Sequence, residues 1–132
     1  MTEKECTLRH FIQQELKKPC HASAHALADA ILRRHGEQVV AILFYGSCLR
    51  QEPSDEPPEG IQDFYVIVDR FRDEYQGRCS ALANHFLPPN VFYVERRWKN
   101  RKVRAKYAIV SLKQWRYSTS FKAFHPWLWA RF

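Results

Sequence analysis

The spacing of apolar residues predicts four helices along the chain. Apolar residues recur at helical intervals over residues 7–18, where Thr7 is a suitable N-cap, and again over residues 22–34. The same spacing predicts a helix over residues 70–86 and a short one over residues 111–115. Prolines follow the first and third of these segments, and proline cannot continue a helix. The remaining apolar segments are shorter and do not show helical spacing.

Four segments carry the β-branched and aromatic residues that are typical of strands. They are residues 38–44, 61–68, 91–95 and 103–110. Because side chains alternate along a strand, Phe64 and Val66 share the face that we expect to be core, and Asp63 lies on the other face. Together with the helices, these strands predict an α/β or α+β domain, in which helices pack on a mixed sheet.

The connections between strands are strongly charged. Residues 51–60 hold three prolines and four acids, which predicts an exposed loop. Residues 96–102 are basic, and we expect them to connect the last two strands as a hairpin. Across the chain, 21 Lys and Arg against 14 Asp and Glu give a net charge of +7, which indicates an anionic partner such as a nucleotide, nucleic acid or anionic membrane surface.

Length and cysteine usage narrow the class of protein. A chain of 132 residues suits one domain with its own core. The four cysteines form no CxxC pair, which argues against a zinc knuckle and for reduced thiols in a cytosol-like compartment. Neither a targeting peptide nor an apolar run of membrane-spanning length is visible. We therefore expect a cytoplasmic protein whose contact with a membrane, if any, is peripheral.

A Gly-Ser turn between the first two strands is the candidate for chemistry. Gly46 and Ser47 end one strand, and Asp63 lies near the start of the next. A turn of this kind offers backbone N–H groups and a hydroxyl to phosphates, and a strand carboxylate can hold the Mg²⁺ that neutralises them. The layout resembles that of polymerase-β-type nucleotidyltransferases, which place an Asp-x-Asp on the second strand. Tyr65 stands where the second carboxylate of that motif would be.

A second metal ligand has to come from elsewhere in the chain. Asp69 shares the strand face of Asp63, but six residues separate the two by about 20 Å. Glu95 is a candidate metal ligand if its strand neighbours the Asp63 strand, and Asp55 or Glu56 could approach with the loop. Glu95 is equally well explained as a surface acid at the end of a hairpin.

Further along, the chain resembles one particular family. The segments YGS at residues 45–47, DFxxxVD at 63–69 and RAKYAIVSL at 104–112 resemble motifs of the mitochondrial-type CDP-diacylglycerol synthases, the translocator assembly and maintenance family. The resemblance covers residues 41–132. It implies a nucleotidyltransferase fold and the synthesis of CDP-diacylglycerol and pyrophosphate from CTP and phosphatidic acid with Mg²⁺, for phospholipid and cardiolipin synthesis.

The resemblance also implies roles for individual residues. Asp63 would bind the metal and act in catalysis with Lys106. Nucleotide contacts are implied for Tyr45, Gly46, Ser47, Arg104 and Lys106. The chain departs from the family in having Cys48 in place of a glycine and in its early end. We therefore expect residues 1–112 to form the nucleotidyltransferase domain, and residues 113–132 to begin a truncated C-terminal helical region.

The basic hairpin supports an alternative reading of function. Residues 96–106 carry seven Lys or Arg residues around Trp98, a composition that can bind RNA by charge and stacking or approach anionic lipid. A degenerate nucleotidyltransferase fold could use this hairpin for binding without chemistry. A third possibility is a small nucleotidyltransferase that modifies a protein or an RNA end. The sequence leaves these alternatives open, and a solvated basic surface is also common.

Overall fold

The computed structural model describes residues 3–69 and 91–124. Three helices and four strands lie in these ranges. In chain order they are α1 (Glu3–Leu16), α2 (Ala22–His35), β1 (Val39–Tyr45), β2 (Gln62–Val68), β3 (Val91–Trp98), β4 (Arg101–Ser111) and α3 (Leu112–Ser118). Short 3-10 turns at Gly36–Gln38 and Ser47–Arg50 precede and follow β1. The helix predicted over residues 70–86 and the end of the aromatic tail fall outside the described residues.

The four strands form one mixed sheet in the order β1-β2-β4-β3. β1 is antiparallel to β2, and β3 is antiparallel to β4. The central pair, β2 and β4, is parallel. The prediction of a mixed α/β sheet with helices is confirmed at this level.

Helix α2 covers one face of the sheet. Its buried residues Ala24, Leu27 and Ile31 pack in one cluster with alternate residues of the two central strands. The strand residues in this cluster are Phe64, Val66, Val68, Val103, Ala105, Tyr107 and Ile109. The prediction that Phe64 and Val66 face the core is therefore confirmed.

The opposite face carries a second, smaller core beneath α3. Tyr65, which is 1% exposed, stacks on Tyr45 with ring centroids 4.7 Å apart and meets Trp115 of α3 at 5.8 Å. Ser111 caps α3: its hydroxyl accepts a hydrogen bond from the Gln114 backbone N–H, and the Gln114 side chain accepts one from the Ser111 N–H. This capping box fixes α3 against the end of β4.

Helix α1 begins earlier than the sequence predicts. It starts at Glu3, so Thr7 lies inside the helix and is not its N-cap. The apolar residues of α1 are 46–75% exposed, and they are Leu8, Phe11, Ile12 and Leu16. Its predicted apolar stripe therefore lies outside both cores.

The basic connection predicted over residues 96–102 is mostly strand. β3 continues to Trp98 and β4 resumes at Arg101, so that only Lys99 and Asn100 form the turn. Both turn residues have positive φ, at 43° and 60°, which is the backbone of a type I′ hairpin. Long cationic side chains fit an exposed edge of this kind because they stay solvated along the strands.

The helices of the described residues are all too short or too polar to cross a bilayer.

Candidate functional site

Four side chains form a row across one face of the sheet. Tyr45 of β1 pairs with Asp63 of β2, Asp63 pairs with Lys106 of β4, and Lys106 pairs with Tyr93 of β3. Residues that pair directly across strands point to the same face of a sheet. The sheet order therefore brings three of the predicted site residues together from three strands, and it adds Tyr93.

Gly46 lies directly against the Asp63 carboxylate. Its backbone, with φ of 89° and ψ of −164°, occupies a region that is essentially restricted to glycine. A Cβ at this position would stand 2.8 Å from Oδ2 of Asp63, closer than a real Cβ contact allows. The structure thus places the Gly-Ser turn against Asp63, as predicted. This contact is possible because residue 46 is glycine and has no Cβ.

Asp63 and Lys106 form an ion pair. The distance from Nζ of Lys106 to Oδ1 of Asp63 is 3.3 Å, and the carboxylate is 17% exposed against 53% for the lysine side chain. Oδ1 is buried, and no donor in residues 3–69 and 91–124 meets it with hydrogen-bond geometry. The attraction of Lys106 is therefore electrostatic and poorly aligned, which leaves lone pairs of the carboxylate for a further ligand.

Asp63 fits a magnesium site of the single-carboxylate kind. Mg²⁺ prefers oxygen ligands and is often bound through one or two carboxylates together with substrate phosphates. The Asp63 carboxylate supplies such oxygens: Oδ1 has no hydrogen-bond donor in the described residues, and Oδ2 lies against the Gly46 turn. In the described part of the chain, no three His, Cys, Asp or Glu side chains cluster as metal ligands. Further ligands would accordingly come from water and phosphate.

Glu95 does not join this site. Its strand β3 neighbours β4 and not β2, so the condition under which Glu95 could share a metal with Asp63 is not met. Two strand spacings and two residues along the strand separate the backbones of Glu95 and Asp63 by about 12 Å. The Glu95 carboxylate instead lies 2.9 Å from Nζ of Lys102. It is a surface acid in a cross-strand ion pair.

The loop acids are also engaged elsewhere. Asp55 lies 3.4 Å from Nζ of Lys99, and Glu56 lies 3.2 Å from the guanidinium of Arg101. All four side chains are more than half exposed, so each pair contributes little to stability. The contacts direct the two acids toward the turn of the β3–β4 hairpin and not toward Asp63.

Cys48 closes the base of the same loop. Its thiol is 1% exposed and donates weakly to the backbone carbonyls of Glu59 and Ile61, at 3.6 and 3.5 Å. Burial raises the pKa of the Cys48 thiol, and the nearby Asp63 carboxylate raises it further, against a hydrogen bond with Ser47 that lowers it. Cys48 is therefore a neutral structural donor. Ser47 remains exposed at the start of the 3-10 turn.

Arg104 lies two residues from Lys106 on the same face of β4. Both side chains are exposed, while Val103, Ala105 and Tyr107 between and beside them are buried. The two cations therefore lie on one face of the sheet. Arg104 stands opposite Glu95 of β3, one step farther from Asp63 than Lys106 is. It extends the positive charge of the site along the strand.

Sequence reasoning missed Tyr93. Its side chain is 50% exposed and is the cross-strand partner of Lys106. Because side chains alternate along a strand, the strand predicted over residues 91–95 could have placed Tyr93 on the face opposite Phe92 and Val94. Its position in the row depends on the register with β4, which the local pattern does not contain.

We expect Gly46→Ala to disturb both the turn and Asp63. The backbone conformation alone costs about 1–3 kcal/mol for a residue with a side chain. The new methyl group would also displace the Asp63 carboxylate, so the loss of unfolding free energy should exceed that range. Urea unfolding followed by circular dichroism measures it.

Gly36→Ala is the matched control for this substitution. Gly36 also has a positive φ, of 64°, but no atom lies within 4 Å of the position of its Cβ. The control should therefore show the backbone cost without the contact. Equal losses in the two variants would contradict the close approach of Gly46 to Asp63.

Comparison of the chain with protein-family models, curated proteins and solved structures gives no match in any of the three. The candidate site is accordingly defined by the geometry of this chain: a glycine turn, a carboxylate and a lysine on three adjacent strands.

Proposed function

We propose that the chain is a metal-dependent nucleotidyltransferase that acts on CTP and phosphatidic acid. The observation that carries the proposal is the contact between the Gly46 turn and the Asp63 carboxylate, with Lys106 on the next strand. This arrangement combines a phosphate-binding turn, a candidate metal ligand and a cation within one face of the sheet. The choice of CTP and phosphatidic acid is supported by the resemblance of residues 104–112 to the CDP-diacylglycerol synthases.

The proposal includes a polymerase-β-type nucleotidyltransferase fold. Its support is the order of a helix, a strand, a Gly-Ser turn and a second strand, together with the mixed sheet. It also includes peripheral contact with an anionic membrane, because phosphatidic acid is a membrane lipid. The net charge of +7 favours such a contact.

The turn, the carboxylate and the cations of the candidate site would have separate roles in this reaction. The backbone at Gly46 and the exposed hydroxyl of Ser47 would bind the triphosphate of CTP. Lys106 and Arg104 would offset its negative charge and that of the leaving pyrophosphate. Asp63 would hold Mg²⁺, and the bound ion would neutralise the phosphates and favour departure of pyrophosphate.

The reaction requires no strong general base. A phosphate oxygen of phosphatidic acid attacks the α-phosphorus of CTP, the bond from that phosphorus to the bridging oxygen breaks, and pyrophosphate leaves. The products are CDP-diacylglycerol and pyrophosphate. A phosphate monoester carries most of its second negative charge at neutral pH, since its second pKa is about 6. The attacking oxygen is therefore already ionised.

The test is release of pyrophosphate by the purified chain. CTP with Mg²⁺ should yield pyrophosphate on vesicles that contain phosphatidic acid, and vesicles of phosphatidylcholine alone are the control. Each of the other three nucleoside triphosphates should give much less product. The proposal would be overturned if no pyrophosphate is released. It would also be overturned if the rate is the same with and without phosphatidic acid and with all four nucleoside triphosphates.

A further inference from the structure

A line of cations continues from the candidate site along β4, on the sheet face that also carries the second core. Lys106, Arg104 and Lys102 alternate along β4, and Arg97 of β3 is the cross-strand partner of Lys102. We call these four residues the cation strip. Successive cations on one face of a strand lie about 6.6 Å apart, which is comparable with the spacing of phosphates along an extended single strand.

Two members of the cation strip are uncommitted within the described residues. Arg97 and Arg104 are exposed, and neither forms an ion pair with another side chain of residues 3–69 or 91–124. Lys102 is paired with Glu95, and Lys106 with Asp63. The Lys102 pair is solvent-exposed and thus weak, so this lysine can exchange its partner for a phosphate.

The other hairpin cations belong to a separate group. Lys99 lies in the turn. Arg101 is the cross-strand partner of Trp98, on the face of the hairpin opposite to the cation strip. Both are held by acids of the 51–60 loop, Asp55 and Glu56. The loop therefore neutralises cations at the tip of the hairpin and leaves the cation strip open.

An aromatic ring lies beside the cation strip. Tyr93 is half exposed next to Lys106, in the same row as Asp63. Proteins that bind single strands combine a positive track for the phosphates with aromatic rings on which bases stack. A sheet face with both features is a common platform for this kind of ligand.

We propose that the cation strip and Tyr93 bind single-stranded nucleic acid. The structure favours this ligand over a membrane surface because the aromatic residue at the hairpin tip is not free to insert. Trp98 is half-buried against the α2 core, and the ammonium of Lys99 lies 4.7 Å from its ring centroid. The exposed aromatic residue of the β3–β4 hairpin that lies among the cations is instead Tyr93. The proposal does not depend on nucleotidyl transfer.

Fluorescence anisotropy with a labelled oligouridylate of about 12 nucleotides tests the proposal, since single-strand sites of this type span about 4–16 nucleotides. Binding should weaken about 7- to 50-fold between 50 and 200 mM salt, as expected for release of counterions from two to four phosphates. The double variant Arg97→Glu/Arg104→Glu should lose at least about 10-fold in affinity at low salt. Tyr93→Ala should lose about 5-fold or more, and Tyr93→Phe should bind normally.

Lys99→Glu/Arg101→Glu is the control with the same change in charge. It should bind within about 3-fold of the unmodified chain if the cation strip, and not overall charge, holds the ligand. All substituted side chains are exposed, so unfolding curves should confirm an intact fold. The proposal is overturned if the oligonucleotide does not bind, if the control loses as much as the strip variant, or if vesicles with phosphatidylserine bind the strip and the oligonucleotide does not.

Discussion

Asp63→Asn is expected to reduce pyrophosphate release at least about 100-fold, the scale seen when one preorganised charge-stabilising group is removed from an active site. An amide lacks the negative charge that a carboxylate offers to Mg²⁺, and it leaves Lys106 without its partner. The fold should survive, because asparagine has nearly the shape of aspartate and Lys106, at 53% exposed, keeps its contact with water. Initial rates with saturating CTP on vesicles that contain phosphatidic acid measure the effect.

Asp69→Asn provides the matched control. Asp69 is an exposed acid just beyond the end of β2, six residues and about 20 Å from Asp63 along the strand direction. Its replacement removes the same charge from the chain without touching the row. Equal rates in Asp63→Asn and the unmodified chain would show that Asp63 has no part in the reaction, and equal losses in both variants would point to a general effect of charge.

Tyr65→Asp, which restores an Asp-x-Asp pattern, is expected to unfold the domain. The ring of Tyr65 is 1% exposed between Tyr45 and Trp115, and removal of a buried aromatic ring costs about 3–5 kcal/mol. A carboxylate left in that apolar space adds several kcal/mol more. The sum is comparable with the whole stability of a typical domain, about 5–15 kcal/mol. Circular dichroism at room temperature and urea unfolding would show the loss.

Tyr65→Phe distinguishes the contribution of the ring to stability from that of the hydroxyl. It keeps the stacking on Tyr45 and should lose far less unfolding free energy than the about 3–5 kcal/mol expected when the ring is removed. A stable, folded Tyr65→Asp variant would contradict the second core. If it also bound Mg²⁺ more tightly, the departure from the polymerase-type motif would be a matter of ligand choice and not of packing.

Local features of the fold were predictable because they depend on neighbouring residues. The alternation along residues 61–68 identified the face that packs against α2, since a strand buried on that face must place apolar residues at every second position. The cap at Ser111 was predictable for the same reason, because a hydroxyl placed just before a helix satisfies a backbone N–H three residues on. The proximity of Gly46 to Asp63 required only that two consecutive strands pair.

Features that depend on strand order were not predictable. The local sequence of residues 91–95 does not determine that their strand lies at the sheet edge. The distance between Glu95 and Asp63 could therefore not be predicted from the sequence. The position of Tyr93 beside Lys106 was missed for the same reason. The hairpin turn was a different kind of error: Asn100 tolerates positive φ, but the basic residues around it suggested a loop.

The parallel pairing of β2 with β4 determines when the row can form during folding. Asp63 and Lys106 are on the order of 40 positions apart in the chain, and pairing across such a separation carries a large loop-closure entropy that slows folding. The β3–β4 hairpin closes through two residues and needs no such step. A chain in which only the hairpin has formed would present the cation strip but not the pair of Asp63 with Lys106. Binding at the Asp63–Lys106 pair would therefore require the pairing of β2 with β4, and binding at the cation strip would not.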